Sequence, residues 1–259
     1  MKIEFFKYQG TGNDFIIIDN RLDLFDKSDN DFIKSLCNRR FGIGADGLIL
    51  LEEHDEYDFT MVYYNSDGNE SSMCGNGGRC ITAFAKFLAI IKHEATFEAI
   101  DGLHEAKISE DEIVELKMKD VYKIVQVDGH SFLNTGSPHV VLHHPELESL
   151  DVATFGRAIR NSPTYSAEGT NVNFVKKLQN DIFSVRTYER GVEDETLSCG
   201  TGVVAVALSI HNDKESDANE ITLNTKGGEL KVRFTLRDNH YTDIWLIGSA
   251  EQVFKGEIG

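Results

Sequence analysis

The chain has 259 residues, 41% of them hydrophobic, enough for one large domain or two of ordinary size with no covalent staples. Its formal charge of −17 sets it against nucleic acid and anionic membrane as partners. The four cysteines form neither a disulfide framework nor a zinc-spaced set, residues 1–7 lack a signal-peptide core, and no apolar run nears the ~18 residues that span a bilayer, so a cytoplasmic protein with reduced thiols and no metal is expected.

Residues 3–6 and 15–19 are predicted strands joined by residues 9–14, a hairpin whose two glycines also let the loop present Asn13 to a ligand. Residues 29–40 are a predicted helix capped by Asp29 or Asn30, with Phe32, Ile33, Leu36 and Cys37 on one face and Cys37 in the core. The glycine-rich residues 41–47 lead into a strand at 48–51 and do not join a strand to a helix, so they are not a dinucleotide fingerprint. A strand at 59–65 and a turn-rich stretch at 65–70 lead to Cys74-Gly75-Asn76-Gly77, and a helix follows whose apolar run is 80–89, with Arg79 also within the helix and Cys80 facing the core. Residues 96–118 alternate as short antiparallel strands with turns at Asp101-Gly102 and Glu110-Asp111.

A second half begins near Asp120. Residues 122–127 and 131–133 flank an Asp128-Gly129 hairpin turn. Residues 134–139 lead into a strand at 140–143; His139 by itself reads as a surface histidine, with a base or hydrogen-bonding role as the alternative. After a helix at 151–160 come residues 168–173, then a strand at 183–189, Arg190-Gly191, and Cys199-Gly200-Thr201-Gly202 with a helix at 203–208. The remainder, at 221–223, 228–236 and 244–254, reads as antiparallel strands. No linker separates the halves, and the expected domains are 1–118 joined by 247–259, and 119–246.

A strand beginning with Phe, a polar loop, a cysteine, a glycine-rich turn and an apolar helix thus occur twice, with 15 positions from Phe59 to Cys74 and 16 from Phe183 to Cys199. A helix start directs unpaired N–H groups and partial positive charge at the turn, which favours a thiolate there and can hold a carboxylate. Two such ends would supply two activatable thiols around one anion.

Further motifs accompany the pair: Gly10-Thr11-Gly12-Asn13-Asp14-Phe15, Gly42-Ile43-Gly44-Ala45-Asp46-Gly47, Asn65-Ser66-Asp67-Gly68, Gly78-Arg79-Cys80, Gly136-Ser137-Pro138-His139, and Glu189-Arg190-Gly191-Val192 with Glu195-Thr196-Leu197-Ser198 before Cys199. In this order, over almost the whole chain, they make the sequence resemble the diaminopimelate epimerase family. The resemblance implies an α/β (α+β) fold of two pseudo-symmetric halves, each a curved, mostly antiparallel sheet or barrel around a central helix, with the active site in the cleft between them. It implies a homodimeric isomerase of bacterial lysine and peptidoglycan-precursor biosynthesis that converts LL-2,6-diaminopimelate to the meso form without cofactor. It carries Cys74 and Cys199 over as the two acid/base groups, with His139 and Glu189 beside them. Asn13, Asn65, Asn171, Glu189 and Arg190 match substrate-holding positions, and Gly75, Asn76, Gly200 and Thr201 match the turns that bind the reacting carboxylate. Gly47 stands where some members carry Gln and Ser137 where many carry Asn, and the segment from Gly191 to Cys199 is one residue longer than the common form.

Other readings use parts of the same pattern. A proline or hydroxyproline racemase would share the twin thiols, but those racemases usually carry His where this chain has Asn76. A single-cysteine hydrolase pairing Cys74 or Cys199 with His139, or an amino-acid binding protein, would leave the second cysteine turn without a purpose.

Overall fold

The computed structural model describes residues 2–259. The chain folds as two compact units, residues 1–116 with 248–259 and residues 117–247. The elements of the first are β1 (Ile3–Gly10), β2 (Asn13–Asp19), α1 (Asn30–Cys37), β3 (Gly47–Glu52), β4 (Phe59–Asn65), β5 (Glu70–Ser71), α2 (Gly75–Phe87), β6 (Glu94–Ala99), β7 (Gly102–Ile108) and β8 (Ile113–Met118). Those that follow are β9 (Ile124–Val127), β10 (His130–Asn134), β11 (Pro138–His143), α3 (Val152–Arg160), β12 (Asn171–Gln179), β13 (Ile182–Glu189), β14 (Asp194–Thr196), α4 (Gly200–Asn212), β15 (Glu220–Thr225), β16 (Gly228–Arg237) and β17 (His240–Ser249). The last strand, β18 (Glu251–Ile258), returns to the first unit and pairs with β1.

Within each unit the strand ladder runs the same way. In the first, β1 pairs antiparallel with β2, β2 parallel with β3, β3 antiparallel with β4, and β4 antiparallel with β5 and parallel with β6. In the second, β10–β11, β11–β12, β12–β13, β13–β14 and β13–β15 repeat these five pairings with the same directions. Each parallel step needs a crossover, supplied by α1 and α2 in one unit and by α3 and α4 in the other. The parallel β13–β15 pairing departs from the purely antiparallel reading of the last strands.

Two helices per unit explain the unbroken apolar strands, because both faces of the ladder are covered. Ile16 and Ile18 of β2 cluster with Ile33 and Leu36 of α1, whereas Phe6 and Tyr8 of β1 set their rings 4.9 and 5.8 Å from Phe84 of α2. The helices α2 and α4 bury almost every residue along their first three turns, so each is the hydrophobic centre of its unit.

Several boundaries shift for local reasons. Helix α1 ends at Cys37 because Asn38 turns extended, and its N-cap is Asp29, whose carboxylate accepts the Phe32 N–H at 2.9 Å. Ile33, Leu36 and Cys37 are buried, but Phe32 remains 40% exposed. The Asp128-Gly129 turn has both φ angles positive, 52° and 80°, the geometry that suits the right-handed twist of its strands. The apolar run at 244–254 is two strands, divided at Ala250. Among the described residues no helix is long and apolar enough to cross a membrane.

Candidate active site

The glycines after each cysteine do not form a turn ahead of the helix, as the sequence suggests; they are its first turn. Cys74 is the N-cap of α2 and Cys199 the N-cap of α4, both with extended backbones. The third residue of that turn is a glycine in both helices, in close contact with its surroundings. A Cβ at Gly77 would lie 3.2 Å from the Cys74 sulfur, and one at Gly202 only 2.5 Å from Asn173 Oδ1.

In the first unit, Cys74 Sγ accepts the Gly77 N–H at 3.2 Å and lies 3.9 Å from Asn13 Oδ1. Asn13 Oδ1 also accepts from Asn76 Nδ2 at 3.2 Å, and Asn13 Nδ2 donates to Asp46 Oδ2 at 2.6 Å. Asn76 Oδ1 accepts from Arg79 Nη1 at 3.0 Å. A cation at one end and a carboxylate at the other therefore orient both amides. Gly75, the first helical residue, completes this cluster. Asn65 ends β4 opposite Gly47, which in turn pairs with Phe15, two residues beyond Asn13.

Asp46 and Asp14 are held by Arg39, and Lys7 pairs with Asp14 at 2.7 Å and also reaches the Gly44 carbonyl. Burial alone would push the Asp14 carboxyl up, but the bonds from Arg39 and Lys7 outweigh it and hold the group near 2. Arg79 is fully buried, which disfavours its charge; its head group also contacts Thr11 Oγ1 and the Gly75 and Ser249 carbonyls. Burial likewise pushes the Cys80 thiol far up, and the Cys37 thiol to about 11, as inert core cysteines require.

The second unit assembles a different set around Cys199. Its side chain makes no capping bond to the helix, and its sulfur lies 3.5 Å from Thr201 Oγ1. Thr201 Oγ1 is 3.0 Å from His139 Nε2. His139 is completely buried, which corrects its reading as a surface residue: β11 pairs with β12 on one side and β10 on the other, and α4 covers it. Burial, with the Arg190 charge second, lowers its basicity to about 3, so it is neutral at physiological pH.

Asn171 lies opposite His139 in the ladder, and its Oδ1 accepts the Arg190 N–H at 2.8 Å. Its Nδ2 donates to Ser137 Oγ and, at 3.2 Å, to the Pro138 carbonyl. Arg190 extends to the Glu168 carbonyl at 2.8 Å, and Glu189 ends β13 half-buried. The second unit thus gathers Cys199, Gly200, Thr201, His139, Asn171, Glu189 and Arg190. The two clusters are not copies: Cys74 faces a backbone donor and an amide oxygen, Cys199 a hydroxyl backed by an imidazole.

Sequence reading passed over Asn173, which is buried, hydrogen-bonded to His139 and two residues beyond Asn171 on the same strand face. That spacing of two was the available signal. Nothing local marked Arg79 as buried and bonded to Asn76.

Comparison with known proteins gives a consistent picture. The family model described as diaminopimelate epimerase matches residues 5–124 and 131–253. A curated diaminopimelate epimerase of Flavobacterium psychrophilum is 55% identical, covering 99% of this chain and 100% of that one. One from Chlorobaculum tepidum is 43% identical over 96% and 98%. Among solved structures, a phenazine biosynthesis protein of the PhzF family from Bacillus anthracis superposes with a TM-score of 0.80 at 13% identity, covering 100% and 99%. A hydroxyproline epimerase from Agrobacterium vitis with bound trans-4-OH-L-proline does so at 0.69 and 11%, covering 99% and 92%.

Proposed function

This chain belongs to the diaminopimelate epimerase family, and from that premise we propose that Cys74 and Cys199 carry out the reaction as a two-base pair. The chain is an isomerase of diaminopimelate that serves lysine biosynthesis. The racemase, hydrolase and binding-protein readings give way to that assignment.

Inverting an amino-acid Cα requires a base on one face to take the proton and an acid on the other to return one. A thiolate and a thiol meet both needs and exchange roles with each turnover. The carbanion's charge spreads into the adjacent carboxylate, where N–H groups of a helix start act as fixed donors; losing one such donor typically costs about 10²–10³ in rate. The observation that supports this reading is that each cysteine stands at the N-cap position of a buried helix, at the same place in a repeated ladder. Gly75 and Asn76, and Gly200 and Thr201, would supply those donors. Asn13, Asn65, Asn171 and Glu189 would hold the rest of the substrate, and Arg190 would grip its distal carboxylate in a two-pronged bond. Conversion of the LL to the meso isomer, action in the cytoplasm and assembly as a homodimer complete the proposal, on the strength of the family resemblance.

The reduced protein, incubated with LL-diaminopimelate in D₂O without added cofactor, is expected to form meso product with deuterium at Cα. Cys74→Ala and Cys199→Ala should each abolish interconversion. Near-normal turnover in either variant would sink the two-base assignment.

A further inference from the structure

The hydrogen-bond directions around His139 follow from one backbone carbonyl. Asn173 Nδ2 lies 3.0 Å from the Val140 oxygen, which can only accept, so the atom facing the imidazole is the amide nitrogen and not its oxygen. Asn173 Oδ1 is engaged on the other side by Thr187 Oγ1, at 3.0 Å. The second hydrogen of Asn173 Nδ2 therefore points at His139 Nδ1, 3.1 Å away, and that ring nitrogen must be bare. A neutral imidazole with a bare Nδ1 carries its proton on Nε2. Of the groups near Nε2, Thr201 Oγ1 is the closest at 3.0 Å, against 3.4 Å for Ser137 Oγ and Asn171 Nδ2. Asn171 Nδ2 already spends its hydrogens on Ser137 and Pro138. With Thr201 Oγ1 accepting from the ring, its own hydrogen is left for the Cys199 sulfur at 3.5 Å.

We propose that Asn173, His139 and Thr201 form a one-way relay of donors that ends on Cys199 and stabilises its thiolate, with Asn173 and His139 as positioning residues. His139 on this reading gives a hydrogen bond and never takes the cysteine's proton. The whole relay is held within one unit by β11, β12, β13 and the first turn of α4. Cys74 sits in a different setting, with the acceptor Asn13 Oδ1 on its side-chain flank. The inference rests on the two-thiol reading for its purpose, though its geometry does not depend on it.

Long-range ¹H–¹⁵N NMR on the labelled, substrate-free protein reads the tautomer directly. We expect His139 protonated at Nε2, bare at Nδ1, and unchanged between pH 5 and 8. Asn173→Asp, which replaces the donor by an acceptor, should move the proton to Nδ1 or charge the ring. A ring protonated at Nδ1, or doubly protonated, in the wild-type protein would overturn the relay. Turnover supplies the second readout. Thr201→Val, which keeps the backbone and shape but loses the hydroxyl, should lower kcat roughly tenfold or more, and Thr201→Ser should restore most of it. Equal rates for Val and wild type, or equal losses for Val and Ser, would also overturn it. Because the tautomer is read without turnover, an active enzyme with the wrong tautomer defeats the relay alone. The expected tautomer in a protein that survives loss of either thiol defeats the two-base mechanism alone.

Discussion

Gly202 shows how tightly single residues are specified near the thiols. Its missing side chain leaves room for Asn173 Oδ1, and a methyl group there would come within 2.5 Å of that oxygen, closer than carbon and oxygen approach. The amide would have to rotate away from Thr187 and His139. Gly202→Ala is therefore expected to lower kcat by roughly tenfold or more while the chain stays folded, since one displaced buried amide costs only about 1–3 kcal/mol. Far-UV circular dichroism together with turnover would check this; unchanged turnover would show that Asn173 has another way to settle. The same crowding at Gly77 involves the cysteine itself, with a Cβ at 3.2 Å from Cys74 Sγ. At Gly202 the glycine is required by close approach and not by an unusual φ, whereas at Gly77 an added methyl needs its neighbours to yield by only a few tenths of an ångström.

At the scale of elements, the helices divide into two kinds. The short outer helices depend on local signals. Asp29 and Asp151 cap α1 and α3, each accepting an N–H three residues on, at 2.9 and 3.1 Å. Asp29→Ala should cost about 1 kcal/mol, seen as a lower urea midpoint with an unchanged slope, and leave KM unaffected. The inner helices α2 and α4 have cysteines where a strong cap would stand, and only Cys74 caps with its side chain. Their stability comes instead from near-complete burial, so these helices can begin with reactive groups. Periodicity made the caps, the strands and the Asp128-Gly129 turn readable. It placed the inner helices too late, because glycine runs resemble turns and only packing around Gly77 and Gly202 makes them helical.

Across the whole molecule, acid stability should be governed in part by the cluster that joins β1, β2 and the loop after α1. Asp14 is held near 2, below its ordinary value of 3.8, and its side chain is only 17% exposed. A depressed carboxylate stabilises the fold above its unfolded pKa and loses that contribution as pH falls through the folded one. The expected loss is roughly 2 kcal/mol between about pH 4 and pH 2. Urea unfolding across that window would show it, and Asp14→Asn should flatten the dependence. If Asp14→Asn retained the wild-type slope, other carboxylates would carry the effect.

The chain by itself determined the repeated cysteine unit, the α/β pattern and the family, because strand alternation, cap residues and glycine spacing are local consequences of backbone geometry. Tertiary structure alone decided that His139 is buried and neutral, that Arg79 lies beneath Asn76, and that the two thiols face unlike partners. Those properties depend on which side chains the ladder brings together: Asn173 and Thr201 reach His139 across 34 and 62 positions of sequence. Burial and hydrogen-bond direction exist only once such distant residues share one strand face beneath one helix.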